Sequence, residues 1–559
     1  MDDDGVAANQ SAPRSDRCIA PLDREVADAF SALQSFRMSR TRLLGDPNGC
    51  FLHDLILESC HRFARRTAVV DTSCNRRLSY GEYGELVERL ARGFVSAGVK
   101  PAEVIAISLP NSWEFCVAYH AATLAGAVPT LLNPAYRERE VLYQLEDSGA
   151  VLLVSDGPQL DGVCLSNVPT LRKVYTTRRR GVGTADFAEL LNVREVPLSD
   201  AIAATNETLA ALPYSSGTTG MPKGVMLSHF NLVANIFQIA APDAFPLAPD
   251  DVLLCFLPLY HIYGLNVALN PTLLQGATIV LMPRFNPKGF LQLMVDENTT
   301  VTLVVPPALL SLVQAAQAGS WPKFHRLQRV KSGAAPLAAD VPRRFTSLTG
   351  VPVVQGYGMT EASPVTHLGF FDSERNRPAS IGQPLANTEC QVLALDGSPA
   401  GDNDSGELIM RGPQFMSGYW RSPDATAAAL RDGWYWSGDV VTRDSDGYYY
   451  VLDRRREMIK YKGFSVAPAE IESVLLEHPA VRDCGVVGRK DPVAGEIPVA
   501  FVVARENDKA GSTLGEELCE FVAGRLAHYK QPREVRFLDA IPKTASGKIL
   551  RRELRKAVE

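Results

Sequence analysis

The eleven residues YSSGTTGMPKG at 214–224 gather three glycines, four Ser or Thr hydroxyls and one lysine. Glycines let backbone N–H groups approach anionic oxygens, hydroxyls donate hydrogen bonds and Lys223 adds a point charge, which together make a phosphate cradle. A Walker-type loop is excluded, because Lys223 is followed by glycine. The apolar residues that follow at 225–227 argue against a solvated linker. Other stretches carry reactive types singly. His261 stands between Tyr260 and Ile262, and a lone histidine in an apolar segment is more often a hydrogen-bonded core residue than a catalyst. Tyr357 lies between glycines in QGYGMTE at 355–361, and Asp439 closes GWYWSGD at 433–439; each alone reads as a turn residue. Lys548 ends TASGK at 544–548, a glycine-containing loop, while Lys460 and Lys462 would share one face of a strand. Lys543 and Lys556 read as solvated surface lysines.

These residues need a frame to hold them. Apolar runs at 104–109, 151–154, 277–282, 301–305 and 351–354 read as strands buried on both faces and alternate with helical stretches. The pattern is α/β with largely parallel sheets. QGYGMTE follows the 351–354 run, so it should lie just beyond the C-terminal end of a strand, where open α/β sheets bind ligands. SYGE at 79–82 forms a capping box before a helix with the stripe Tyr83, Leu86, Val87, Leu90 and Phe94. The run at 116–132 is broken by His120 and Pro129 and reads as a buried helix followed by a strand, not a membrane span. After about residue 385, short β segments at 390–395, 406–410 and 448–452 suggest a small barrel-like unit. Beyond it lies an α+β pattern of helix 468–477, strand 499–503 and helix 514–527. The expected division is a flexible arm at 1–45, an N-terminal domain at 46–453 and a smaller mobile C-terminal domain at 454–559.

At 559 residues, with 46% hydrophobic and 21% charged, the chain is an ordinary globular protein of several units, which excludes wholesale disorder, collagen and coiled coil. A net charge of −6 disfavours a nucleic-acid partner. From residue 454 on there are 20 Lys and Arg against 16 Asp and Glu, net +4, while the remainder stands at −10. A cationic cap facing an acidic body suits a polyanionic ligand. Ten cysteines without a CxxC pair signal neither zinc nor a disulfide framework. The opening MDDDG has no secretory character and the closing KAVE is no peroxisomal address. The expectation is a cytoplasmic monomer with no integral membrane segment.

Taken in order, the 214–224 loop, LPLYHIYG at 257–264, KSGAAPL at 331–337, QGYGMTE, GWYWSGD, 453–463 and PKTASGK at 542–548 resemble the adenylate-forming superfamily of acyl-CoA ligases, aryl ligases and beetle luciferases. The likeness is greatest to its 4-coumarate–CoA ligases and spans roughly residues 50 to 555. It implies that a carboxylic acid and ATP, with Mg²⁺, form an acyl-adenylate and pyrophosphate, and that CoA then takes the acyl group as a thioester. By that likeness Ser215, Ser216, Gly217, Thr218, Thr219 and Lys223 hold the β- and γ-phosphates, Thr360 reaches the α-phosphate and Glu361 positions Mg²⁺. Gln355, Gly356 and Tyr357 belong to the nucleotide pocket, with Tyr357 against adenine, and Asp439 and Arg454 meet the ribose, with Arg456 in the same set. His261 steers the carboxylate and then swings to admit the thiol. Tyr263, Gly333, Gly358, Pro364 and Val365 line the acyl pocket. Lys548 bridges carboxylate and α-phosphate during adenylation, and Lys460 serves thioester formation as well as nucleotide binding. Arg284, Lys462 and Gly463 are the CoA contacts.

One cleft cannot present both lysines at once, so the likeness implies rotation of the C-terminal lobe about 453–456, with Asp453 as hinge. The chain departs from the coumarate ligases at Ser465, where they have glutamine, at Ser363, where they have glycine, and at Arg284, where lysine is commoner. Tyr263 and the glycines beside it favour a flat aromatic acid, and the resemblance implies a hydroxycinnamate such as 4-coumarate of phenylpropanoid metabolism, or a related aryl acid such as a benzoate. The alternatives are a medium- or long-chain fatty acid, a luciferase-like oxygenase or a stand-alone amino-acid adenylation enzyme. The last would want an acidic anchor near His261, and 258–266 holds no Asp or Glu.

Overall fold

The hydroxyl of Ser79 accepts from the backbone of Glu82 at 3.2 Å, and the Glu82 carboxylate accepts from the Ser79 backbone at 2.8 Å. This box starts the helix Tyr80–Ser96 where the sequence predicts it. Its stripe of Tyr83, Leu86, Val87, Leu90 and Phe94 is buried, each large side chain contributing about 1.5–3 kcal/mol by leaving water. The run at 116–132 is the helix Trp113–Leu124, enclosed on nearly every side, followed by the strand Val128–Leu131. Among the described residues no helix is long and apolar enough to cross a membrane. The chain is seen here as a computed structural model that describes residues 47–178, 183–193, 196–198, 208–215, 222–394, 396–454, 457–461, 464–492, 494–505, 512–526, 528–544 and 547–558. The expected arm at 1–45, together with Ser216, Gly217, Thr218, Thr219, Arg456, Lys462, Gly463 and the side chain of Ser465, lies outside them.

The fold is α/β. The largest sheet runs Gln383–Pro384, Val365–Leu368, Val353–Gly358, Arg329–Ser332, Val301–Val304, Val252–Cys255, Thr278–Leu281, Thr67–Asp71, Arg76–Ser79. Its inner strands from Val353–Gly358 to Thr67–Asp71 are parallel, and the outer pairs are antiparallel. A second sheet, all parallel, contains Val104–Ser108 and Leu152–Ser155. Both match the apolar runs of the sequence, since parallel strands are covered on two faces. One strand is longer than expected: Val353–Gly358 takes in the glycine motif, because Gly356, Tyr357 and Gly358 pair with Leu368, His367 and Val365. Tyr357 therefore sits on the strand and not beyond it. A helix is displaced in the other sense: it runs Ser512–Ala523, not 514–527, ending before Gly524, a poor helix former.

Residues 389–454 form a five-stranded antiparallel sheet built on Ser405–Arg411 and Trp434–Arg443. Beyond it a mixed sheet centred on Gly495–Ala504 packs with the helices Pro468–Leu476, Ser512–Ala523 and Arg551–Lys556. Buried residues from Ile459 to Val558 form a hydrophobic cluster of their own. At its border Arg551 donates twice to Glu472, at 2.8 Å each, and lies 4.0 Å from Asp453, whose carboxylate also accepts from the Ala469 backbone at 2.9 Å. Lys543 differs from the solvated lysine expected of it: its ammonium bonds both oxygens of Asp483 at 2.7 and 2.6 Å, which anchors one end of the loop carrying Lys548.

Candidate active site at the sheet edge

The strands Val252–Cys255, Val301–Val304, Arg329–Ser332 and Val353–Gly358 are parallel neighbours, so their C-terminal ends lie along one edge. The segment with His261 and Tyr263, the helix start at Pro306, and Gly333 follow three of these ends, while the fourth carries Gly356 to Gly358. This is where doubly wound sheets hold ligands. The Tyr263 hydroxyl donates toward the carbonyls of Lys331 at 3.3 Å and Val304 at 3.5 Å. A Cβ on Gly333 would stand 3.3 Å from both the Tyr263 ring and the Gly356 carbonyl. One on Gly358 would come within 1.9 Å of the Pro364 oxygen and 3.0 Å of the Val365 Cα, backbone atoms that cannot yield. All five residues expected around an acyl group thus meet here. Gly358→Ala is expected to lower acid-dependent pyrophosphate release about 100-fold by displacing this turn; steady-state rates like those of the parent protein would contradict the placement.

Two buried asparagines brace the same edge and had no signal in the sequence. Asn111 donates to the Leu257 carbonyl and accepts from the Leu259 backbone, both at 2.9 Å, just ahead of His261. Asn235 donates to the Val365 carbonyl at 2.8 Å and accepts from its N–H at 3.1 Å. Lys331, in the KSGAAPL motif but given no role there, is 1% exposed. Its ammonium lies 5.8 and 5.9 Å from the ring centres of Phe245 and Tyr263, within cation–π range.

Next to this edge the Tyr357 hydroxyl donates to Asp439 at 2.5 Å, and Arg454 Nε reaches the other Asp439 oxygen at 3.2 Å. Burial first, then the Asp439 charge, pushes the Tyr357 phenol well above its usual range. Gln355 directs its amide N–H to the Pro378 carbonyl at 2.6 Å. Thr360 and Glu361 lie in the short turn Thr360–Ala362. The Glu361 carboxylate accepts from the Tyr419 hydroxyl at 2.8 Å. Tyr419 reaches it because the two-residue strand Gly418–Tyr419 pairs with Val225 and Met226, directly after residues 214–224. No pattern in the sequence singles out so short a strand. Ser215 pairs with Lys223 and Tyr214 with Gly224, antiparallel, and the Lys223 ammonium lies 5.4 Å from the Tyr419 ring. These paired ends are anchored by Tyr214 to the Asp147 carboxylate at 2.6 Å and by Tyr143 to the Pro222 carbonyl at 2.9 Å.

The Lys548 turn closes on Thr544, whose N–H donates to the Lys548 carbonyl at 2.8 Å and whose hydroxyl accepts from the Lys548 N–H at 3.1 Å. At φ +82° Gly547 favours glycine, and a Cβ there would stand 2.9 Å from the Pro307 ring. The turn therefore seats against the start of the helix Pro306–Gln317. His261 Nδ1 accepts from the Tyr263 N–H at 3.2 Å. Burial, and after it the positive charge of Lys548, lowers the His261 pKa to about 4. Lys460, on Ile459–Tyr461, and Arg284 are both exposed. Among the described residues no group of three or more His, Cys, Asp or Glu could hold a metal, which leaves Glu361 as a single carboxylate.

Known proteins share this architecture. The family described as "AMP-binding enzyme" matches residues 56–420, and "AMP-binding enzyme C-terminal domain" matches 470–548. A 4-coumarate–CoA ligase 5 of Oryza sativa subsp. japonica is 38% identical over 531 residues, covering 92% of this chain and 96% of its own. ATP-bound MatB from Rhodopseudomonas palustris superposes with a TM-score of 0.81 at 30% identity, covering 90% of this chain and 98% of that one. A benzoate CoA ligase from Burkholderia xenovorans LB400 gives 0.81 at 27% identity, with 90% and 100% covered. The chain belongs to the AMP-binding enzyme family, among its ATP-dependent acyl-CoA ligases.

Proposed function

We propose that the protein joins an aromatic carboxylic acid, a hydroxycinnamate such as 4-coumarate foremost, to CoA in two steps at one cleft. The observation that carries this reading is the meeting of Tyr263, Gly333, Gly358, Pro364 and Val365 at a sheet edge on which the Lys548 turn is seated. In the first step a carboxylate oxygen attacks the α-phosphorus of ATP and pyrophosphate leaves. In the second the CoA thiolate attacks the acyl carbon, and AMP leaves with the bonding pair. The obstacle to the first step is repulsion between anions, so cations and oriented donors must stand where charge builds.

Lys548 meets that need between carboxylate and α-phosphate. His261 stays neutral, and because Nδ1 accepts from the Tyr263 N–H, its proton resides on Nε2, free to orient the carboxylate. Ser215 and Lys223, with Ser216 to Thr219, hold the outer phosphates, and Thr360 the inner one. Asp439 and Arg454 bind the ribose, with Arg456, and Tyr357 lies along adenine beside Gln355 and Gly356. Glu361 suits Mg²⁺, a hard cation content with one or two carboxylates plus phosphate oxygens, since Tyr419 occupies only one of its oxygens. When bound, that ion offsets phosphate charge. For the second step the 454–559 lobe turns about Asp453 and brings Lys460, Lys462 and Gly463 in, with Arg284 meeting CoA phosphates. The separate core of that lobe and the exposure of Lys460 support this division.

The aromatic assignment draws on the rice and Burkholderia relatives named above and on the room that the glycines leave beside Tyr263. Pyrophosphate release against hydroxycinnamates, benzoates and fatty acids, with and without CoA, tests it. Hydroxycinnamates should lead in kcat/KM by at least about tenfold, a difference of roughly 1.4 kcal/mol in the barrier. Preference for a fatty acid would overturn the aromatic assignment, and adenylate formation without thioester would overturn the ligase.

A further inference from the structure

A chain of buried polar side chains links the outer helices to the turn beside the acyl pocket. The Tyr83 hydroxyl meets His120 Nδ1 at 2.7 Å, and His120 Nε2 meets Asn270 Oδ1 at 3.0 Å. Asn270 Nδ2 donates to Asn266 Oδ1 at 2.8 Å, and Asn266 Nδ2 donates to the Ser363 carbonyl at 2.6 Å and the Leu232 carbonyl at 3.2 Å. All five residues are 0% exposed. The bonds run one way. An asparagine oxygen only accepts, so His120 Nε2 carries the proton and Nδ1 accepts from Tyr83. Asn266 lies in the π-helical turn Gly264–Leu269, which continues directly from Tyr263, a feature often found at functional sites.

The far end of the chain is where strain is stored. Ser363 has φ +64°, a left-handed conformation costly for a residue with a side chain, which persists only where surrounding bonds over-determine it. The Asn266 bond to its carbonyl, together with the Asn235 clamp on Val365, does so. We propose that His120 and Asn270 are positioning residues for the acid substrate, acting through Asn266 to set the Ser363–Val365 turn and hence which acids the pocket accepts. This rests on the reading of Gly358, Pro364 and Val365 as acyl-pocket residues.

The test uses the full-length protein and acid-dependent pyrophosphate release, with KM measured separately for acid and for ATP. His120→Leu leaves a buried Asn270 oxygen without its donor and should raise the acid KM about tenfold, hold the ATP KM within about twofold and change the ranking of acids. His120→Gln, whose amide can accept from Tyr83 and donate to Asn270, should bring the acid KM back within about threefold of the parent. Equal movement of both KM values, or a glutamine variant as impaired as the leucine one, overturns the proposal. Should His120→Leu not fold, Tyr83→Phe, which removes one hydroxyl, decides: an acid KM up about threefold at constant ATP KM supports the relay, and an unchanged acid KM refutes it. Tyr263→Ala run in parallel separates the two readings. If it raises the acid KM while the relay variants do not, the relay alone is wrong; if it too leaves the acid KM unchanged, the pocket assignment falls and the relay with it.

Discussion

Lys548→Ala is expected to slow acyl-adenylate formation about 10²–10³-fold, the loss typical of removing one preorganised group that faces developing charge. Acyl-AMP supplied ready-made should still be converted to thioester at close to the parent rate. The turn that carries the lysine is held in place. Closed by Thr544, tied through Lys543 to Asp483 and seated on Pro307, it holds the ammonium where its field reaches His261. Little reorganisation is left for the moment of reaction. Lys460→Ala should give the converse, normal adenylation and impaired thioester formation. Single-turnover measurements of each half-reaction decide the matter. Equal loss of both steps in either variant would end the division of labour between the two lysines.

Stability is expected to fall between about pH 6.5 and pH 4, where the loss from four buried histidines outweighs the opposing contribution of Glu472, whose pKa burial raises to about 7. Burial lowers the pKa of His53, His120 and His261 to about 4 and of His229 to about 3. Asp54 partly opposes the shift at His53, and Lys548 adds to it at His261. Geometry agrees: Nδ1 of His229 accepts from the Leu52 N–H at 3.1 Å, while Nδ1 of His261 and His120 is likewise engaged. In the unfolded chain these rings protonate near 6.5. Their depressed folded pKa values mean that the stability they confer is complete above about 6.5 and is lost as pH falls through the folded values. Each proton taken up on unfolding adds about 1.4 kcal/mol per pH unit to the slope. His53 and His229, with rings 5.3 Å apart, will titrate as a pair. Urea midpoints measured from pH 7.5 to 5 provide the check, and a midpoint that stays level down to pH 5 would rule out neutral buried histidines.

Local signals were readable wherever the physics is local. The capping box at Ser79 lies within four residues, and the runs that became Val104–Ser108 and Val301–Val304 declare themselves by apolar continuity. The 214–224 loop signals an anion cradle by residue types alone, whereas the His261 segment, the glycine motif and the Lys548 loop, each contiguous, marked a candidate site through their resemblance to the adenylate-forming superfamily. What escaped the reading depends on pairing over long separations. The strand through Gly356 to Gly358 exists only because residues 365–368 return beside it. Tyr419 reaches Glu361 only through a strand pair with Val225 and Met226.

Composition and apolar periodicity thus determined an α/β protein, because backbone conformation is encoded in neighbouring side chains, and the resemblance carried by seven short motifs implied the family and most of the candidate residues. Tertiary structure alone decided that Lys543 is an anchor and not a solvated lysine, and that Asn111, Asn235 and Asn266 brace backbone segments at the sheet edge. It also decided that His120 belongs to a buried relay, and that Lys548 meets the sheet edge in this arrangement while Lys460 faces solvent. Such outcomes turn on burial and on partners far away in the chain, and a polar group's energetic role is settled only when water is removed from it and a specific donor or acceptor takes water's place.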